Sequence, residues 1–143
     1  MEKKKVLFLC TGNSCRSQMA EGFLKHMTPD EFEVSSAGTD PAQVNPASVR
    51  TMQEVGIDIS GQKPESVNKY AGTKFDYVIT VCGDAKETCP VFPGKYTRIH
   101  WDIEDPAKSS GTDGEALTFR VTREIIRDKI EKFSKNKEMQ FPL

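Results

Sequence analysis

The stretch Lys5-Val-Leu-Phe-Leu-Cys10-Thr-Gly-Asn-Ser-Cys-Arg16-Ser17 decides the fold. Its apolar run, Val6 to Leu9, is short and is ended by Cys10-Thr11-Gly12-Asn13, so it reads as a buried strand running into a tight loop. Beyond the loop, Met19, Ala20, Phe23, Leu24 and Met27 recur at three- and four-residue intervals. That is the spacing of a helix packed along one side, and Ser17 stands where it would cap the first turn.

The same reading carries outward along the chain. Phe32 to Ser36 alternates weakly and stops at Ala37-Gly38, a second strand. Asn45 before Pro46 is an N-cap followed by a proline at the first helical position; Val49, Met52 and Val55 form one face, and Gly56 stops the helix. Phe75 to Val81 is rich in β-branched and aromatic residues and ends at Cys82-Gly83, giving a third strand, and Tyr96 to Trp101 gives a short fourth. After Asp105-Pro106 and a polar stretch from Lys108 to Gly114, a long helix carries Leu117, Val121, Ile125, Ile126, Ile130 and Phe133; the tail after Lys135 reads as frayed. The order β-α-β-α-β-β-α predicts an α/β fold, a mostly parallel four-stranded sheet flanked by helices. At 143 residues the expectation is one domain over residues 1–143 that needs no metal or disulfide staple.

Twenty Lys and Arg stand against 21 Asp and Glu, so there is no surplus positive charge with which to hold nucleic acid. Any anion must be gripped locally. No apolar run is long enough for a bilayer and no signal-like leader opens the sequence, which predicts a soluble, cytoplasmic protein with no membrane association. In that reducing compartment the four cysteines, Cys10, Cys15, Cys82 and Cys89, point to catalysis or metal binding before structural disulfides.

Cys10 to Arg16 is a Cys-x5-Arg loop between a strand and a helix. Loop amides turned inward can ring one tetrahedral oxyanion, the helix N-terminus adds partial positive charge, and Arg16 can hold two oxygens as a fork. Cys10 would lie beneath that anion. The same donors favour thiolate over thiol, so its pKa is expected to be lowered. The candidate binding residues are therefore Thr11, Gly12, Asn13, Ser14, Cys15, Arg16 and Ser17. Asp105-Pro106 alone reads as a turn opener, but loops after the carboxyl ends of parallel strands gather at one sheet edge. From there an acid at Asp105 could protonate a leaving oxygen. Cys82, directly after the third strand, belongs to that same edge. Cys82-x6-Cys89 lacks the paired spacing of a zinc site, and neither His26 nor His100 completes a ligand pattern, so no metal and no cofactor is expected; buried core cysteines are the remaining alternative.

Cys10-Thr-Gly-Asn-Ser-Cys-Arg-Ser-Gln-Met-Ala-Glu21 resembles the thioredoxin-coupled arsenate reductases, relatives of the low-molecular-weight tyrosine phosphatases. The resemblance continues through Ser36-Ala37-Gly38, Asn45-Pro46, Gly56 to Ser60, Val81 to Asp84, Cys89-Pro90, His100-Trp101 and Asp105-Pro106, while Lys63 to Ser66 and the Phe141-Pro-Leu143 end depart from it. The resemblance implies a monomer that reduces arsenate to arsenite, with Cys10, Cys82 and Cys89 as successive nucleophiles. Arg16 would hold the oxyanion, Asp105 would be the acid, Asn13, Ser14 and Ser17 would tune the loop, and thioredoxin would reduce a final Cys82–Cys89 disulfide. Cys15 has no part in that relay. A phosphatase would need only Cys10, Arg16 and Asp105, but the phosphatases typically place tyrosine after Asp-Pro, where this chain has Ala107, Lys108 and Ser109. Asp84 as an N-cap and the helix formers Ala85, Lys86 and Glu87 predict that the segment from Cys82 to Cys89 is at least partly helical in the reduced protein and must unwind before Cys82 can reach Cys89.

Overall fold

The computed structural model describes residues 3–83 and 91–135. Its elements are β1 (Lys4–Cys10), α1 (Arg16–Met27), β2 (Phe32–Gly38), α2 (Pro46–Gln53), β3 (Tyr77–Cys82), β4 (Thr97–Asp102) and α3 (Glu115–Lys135). Short 3-10 turns at Val67–Tyr70 and Pro106–Ser109 join them. The strands lie in the order β2-β1-β3-β4, and every pairing is parallel. The expected sheet is therefore present with no antiparallel strand in it. Of the segment from Cys82 to Cys89 expected to be partly helical, residues 84–89 lie outside the described residues, as does the tail after Lys135.

β1 and β3 are the central strands. Each is covered on both sides, so both read as continuous apolar runs with no alternation. Val6 and Phe8 of β1 and Tyr77, Ile79 and Val81 of β3 face a core built with α1, α2 and α3; Met19, Phe23, Met52, Ile126 and Phe133 belong to it. Leu7, Leu9 and Val78 face the other way and are covered by Phe75, Phe92 and the 3-10 residues Val67 and Tyr70. All three α-helices thus pack on one side, and connections close the other. Right-handed crossovers account for the division: the path from β1 to β2 runs in one direction across the sheet and carries α1 on one side, whereas those from β2 to β3 and from β3 to β4 run in the opposite direction and cross on the other side, where Val67, Tyr70 and Phe92 lie; α2 precedes that crossing and packs with α1, and α3 follows the last strand.

Asn45 caps α2 as expected, its side chain accepting from the Ala47 amide at 2.9 Å, and Gly56 turns the chain with φ +79. α3 departs from expectation. Its buried stripe is Phe119, Thr122, Ile126, Ile130 and Phe133, whereas Leu117, Val121 and Ile125 form a second apolar row that is exposed.

Candidate active site

The loop after β1 is shaped from outside. The carbonyls of Thr11, Gly12 and Ser14 accept from the amides of Asp40, Ala42 and Asn45, at 2.9, 2.9 and 3.1 Å. Gln18 Nε2 donates to the Asn13 carbonyl at 3.0 Å, and the Cys15 carbonyl accepts from the Met19 amide at 3.0 Å as α1 begins. With its carbonyls turned away, the loop presents N–H groups to its interior. Asn13, the only non-glycine residue with positive φ among those described, at 49°, makes the reversal that a ring of amides needs. Gly38 of β2 passes directly behind: a Cβ there would come within 2.4 Å of the Thr11 carbonyl oxygen, so only glycine lets the strand lie so close.

Cys10 is 2 % exposed, and its sulfur lies 2.9 Å from Ser17 Oγ and accepts from the Asn13 amide at 3.1 Å. Here two expectations fail. Ser17 does not cap α1. The residue at the cap position is Cys15, which makes no side-chain cap bond, and Ser17 lies within the first turn with its hydroxyl turned to the sulfur. Nor is the Cys10 pKa lowered overall: burial raises it above its ordinary value. The Ser17 hydroxyl, the Arg16 charge and the amides of Asn13 and Ser17 pull the other way without overcoming that burial. Burial likewise raises the Cys15 thiol, which lies 3.8 Å from Ser14 Oγ.

Arg16 is 3 % exposed. Its Nη1 donates to the Ile103 carbonyl at 2.8 Å, and its Nη2 stands 3.7 Å from Asp105 Oδ2. Asp105 is brought to the loop from beyond β4, where its other oxygen accepts from the Ala107 amide at 3.0 Å and starts the 3-10 turn at Pro106–Ser109. The structure therefore gathers Cys10, Asn13, Arg16, Ser17 and Asp105 at one edge of the sheet, while Ser14 Oγ turns away to the Gln43 carbonyl.

Cys82 reaches the same edge from β3. Leu9 pairs with Thr80, so Cys10 comes level with Val81 and Cys82 lies one residue further. With strands ~4.8 Å apart and a rise of ~3.3 Å per residue, the two Cα atoms are about 6 Å apart, within disulfide range. Their side chains, however, leave on opposite faces. By strand alternation Cys10 continues the Val6 and Phe8 side and Cys82 the Val78 side. Cys82 is disulfide-bonded, and Cys10 and Cys15 are free thiols. Gly83 then passes so close to Ile103 that a Cβ would meet its carbonyl carbon at 2.5 Å.

Sequence reading missed Gln18, Ser36 and Gly38, the residues that shape the loop from behind. The sequence marks these positions only as parts of the resemblance; what each does to the loop depends on contacts that appear on folding.

A loop of inward amides with a buried sulfur at its floor and a carboxyl group at its rim, on the carboxyl edge of a parallel sheet, is the arrangement of a phosphatase-like domain. The family model described as low molecular weight phosphotyrosine protein phosphatase matches residues 5–140, and the chain belongs to that family, on its arsenate reductase side. An arsenate reductase of Oceanobacillus iheyensis is 48 % identical over 139 residues, covering 96 % of this chain and 100 % of the relative. Among solved structures, an arsenate reductase in the phosphate-binding state superposes with a TM-score of 0.77 at 36 % identity, over 93 % of this chain and 98 % of the other. A thioredoxin-dependent arsenate reductase of Corynebacterium glutamicum gives a TM-score of 0.66 at 31 % identity, over 94 % of this chain and 63 % of the other.

Proposed function

We propose that the chain reduces arsenate to arsenite through Cys10, Cys82 and Cys89 in that order, with thioredoxin as electron donor. The observation that carries this is the pairing of a free Cys10 thiol in the oxyanion loop with a disulfide-bonded Cys82 at the end of the neighbouring strand. Ester hydrolysis by Cys10, Arg16 and Asp105 has no use for a second redox-active thiol. Reduction has, because arsenate must accept two electrons, the number released when two thiols become one disulfide.

The sulfur of Cys10 attacks arsenic while Asp105 delivers a proton to a departing oxygen, which leaves as water. The loop amides and Arg16 hold the remaining oxygens. Cys82 then attacks the Cys10 sulfur; the S–As bond breaks with its electron pair staying on arsenic, arsenite departs, and a Cys10–Cys82 disulfide forms. Attack by Cys89 on Cys82 returns Cys10 to thiol and leaves Cys82–Cys89 for a dithiol protein to reduce. A Cys82 disulfide beside a free Cys10 corresponds to the end of that sequence. The opposed faces of Cys10 and Cys82 mean that the end of β3 must rotate between the two disulfides.

A cytoplasmic setting and a monomeric enzyme complete the proposal. Among the described residues no helix is long and apolar enough to cross a membrane. The test is NADPH oxidation after arsenate is added to the protein, thioredoxin and thioredoxin reductase. Steady turnover that vanishes in Cys10→Ser supports the assignment. No arsenate-dependent oxidation, with p-nitrophenyl phosphate hydrolysed instead, would make the chain a phosphatase.

A further inference from the structure

One side-chain contact fixes which residues share the sheet face away from the α-helices. Thr80 of β3 pairs with His100 of β4, and Thr80 Oγ1 lies 2.7 Å from His100 Nδ1, so the side chains of that rung meet. Val78 lies on the same face, while Ile99 and Trp101 belong to the core on the helix side. The next rung on the face of Thr80 and His100 is Cys82 beside Asp102. Paired strands stand ~4.8 Å apart, which brings the carboxylate of one and the sulfur of the other side by side. Cys82 is 3 % exposed, whereas Asp102 is exposed, and no cation among the described residues is paired with its carboxylate.

We propose that Asp102 is a positioning residue for Cys82: its carboxylate holds the thiol protonated while the thiol faces β4, and favours the orientation turned toward Cys10 once the thiol ionises. This rests on the reading of Cys82 as second nucleophile and adds to it a residue that takes no part in the relay. A like charge within ~4–6 Å disfavours the ionised form, and turning the sulfur to the other face removes it from that charge. No other charged group shares the rung. On the β1 side Cys82 comes level with Thr11, which does not titrate, and the Thr11 carbonyl accepts the Asp40 amide at 2.9 Å. His100 is one rung back with its ring held to Thr80, and Glu104 lies past the end of β4. From the 3-10 turn that covers this face, Lys69 is engaged by Glu65 at 3.0 Å and stands over the Tyr70 ring. Arg16 and Asp105 face each other across the Cys10 loop.

The experiment is the rate of iodoacetamide alkylation against pH in the full, reduced chain, read by peptide mass spectrometry so that each cysteine is followed separately. Asp102→Asn is expected to lower the Cys82 midpoint by about one pH unit. It should also lower the plateau rate at high pH about threefold, because a less basic thiolate is a weaker nucleophile. Asp102→Glu should keep both close to wild type, and the Cys10 midpoint should not move in either variant. A Cys82 midpoint that stays in place in an Asp102→Asn protein with native circular dichroism overturns the proposal. So does a plateau that rises, which would report a loosened strand end in place of a removed charge, and so does an equal shift at Cys10. Neither an oxyanion nor a reducing partner enters the measurement, so its outcome stands apart from whether arsenate is the substrate.

Discussion

Asp105 uses its two oxygens for different purposes. Oδ1 accepts from the Ala107 amide and Oδ2 faces Arg16. Asn at this position keeps an oxygen for the amide and loses the transferable proton, so fold and chemistry can be separated. Asp105→Asn is expected to slow the single-turnover chemical step by roughly 10²–10⁴ while leaving the melting temperature nearly unchanged. An unaltered rate would return Asp105 to the role of turn residue. Cys10, Arg16 and Asp105 were legible because their chemistry is carried by residue type and by spacing from a strand. Ser17 was legible as important but misread, since a serine near a helix start ordinarily caps it, and here the sulfur is the nearer acceptor. Gln18, Ser36 and Gly38 were legible only as parts of the resemblance; the contacts by which Ser36 and Gly38 shape the loop join residues more than twenty positions apart, and that of Gln18 depends on how the loop folds back on α1.

At the scale of elements, α2 and α3 are clamped where α2 ends. Glu54 receives Arg120 through Nε and Nη2, at 2.9 and 2.7 Å, and Arg123 Nη1 at 2.8 Å, while the same Arg123 atom donates to the Thr51 carbonyl at 2.9 Å. The hydrogen bond from Arg120, followed by that from Arg123, holds the Glu54 carboxyl down from 4.5 to about 2. A carboxyl lowered in the folded state adds stability above its unfolded value and loses it as pH falls through the folded one. The difference in melting temperature between wild type and Glu54→Gln should therefore be constant above pH 4.5 and vanish as pH falls toward about 2. Thermal scans across that range check it, and a constant gap down to pH 2 would remove the clamp from the account. The helices and central strands were legible because capping and burial leave period and composition behind. The 3-10 turns were not, since four residues carry no period. In α3 the rows Leu117-Val121-Ile125 and Phe119-Thr122-Ile126 both look apolar in sequence, and only packing chooses between them.

The molecule as a whole brings Cys10 and Cys82 to one sheet edge, and the order in which the proposed relay uses its thiols can be tested by deletion. With one equivalent of arsenate and no thioredoxin, Cys82→Ser should accumulate no internal disulfide, and Cys89→Ser should release arsenite once and stop with Cys10 joined to Cys82. Peptide mapping identifies the bridge; a Cys10–Cys15 product in the wild type would break the scheme. The parallel order of β1 and β3 made Cys82 legible as a neighbour of Cys10, but not the opposed faces, because sequence does not fix the register between strands 67 residues apart from Cys10 to Tyr77. That opposition has a consequence for timing. The Cys82 carbonyl accepts the Ile103 amide at 3.3 Å, so turning Cys82 toward Cys10 swings the carbonyl away and opens the last rung beside β4. The Ile103 amide becomes an isotopic clock hand for the reaction: in deuterated buffer it should exchange faster in the trapped Cys10–Cys82 state of Cys89→Ser than in the wild-type protein with its Cys82 disulfide intact, while amides deeper in β1 keep the same pace in both.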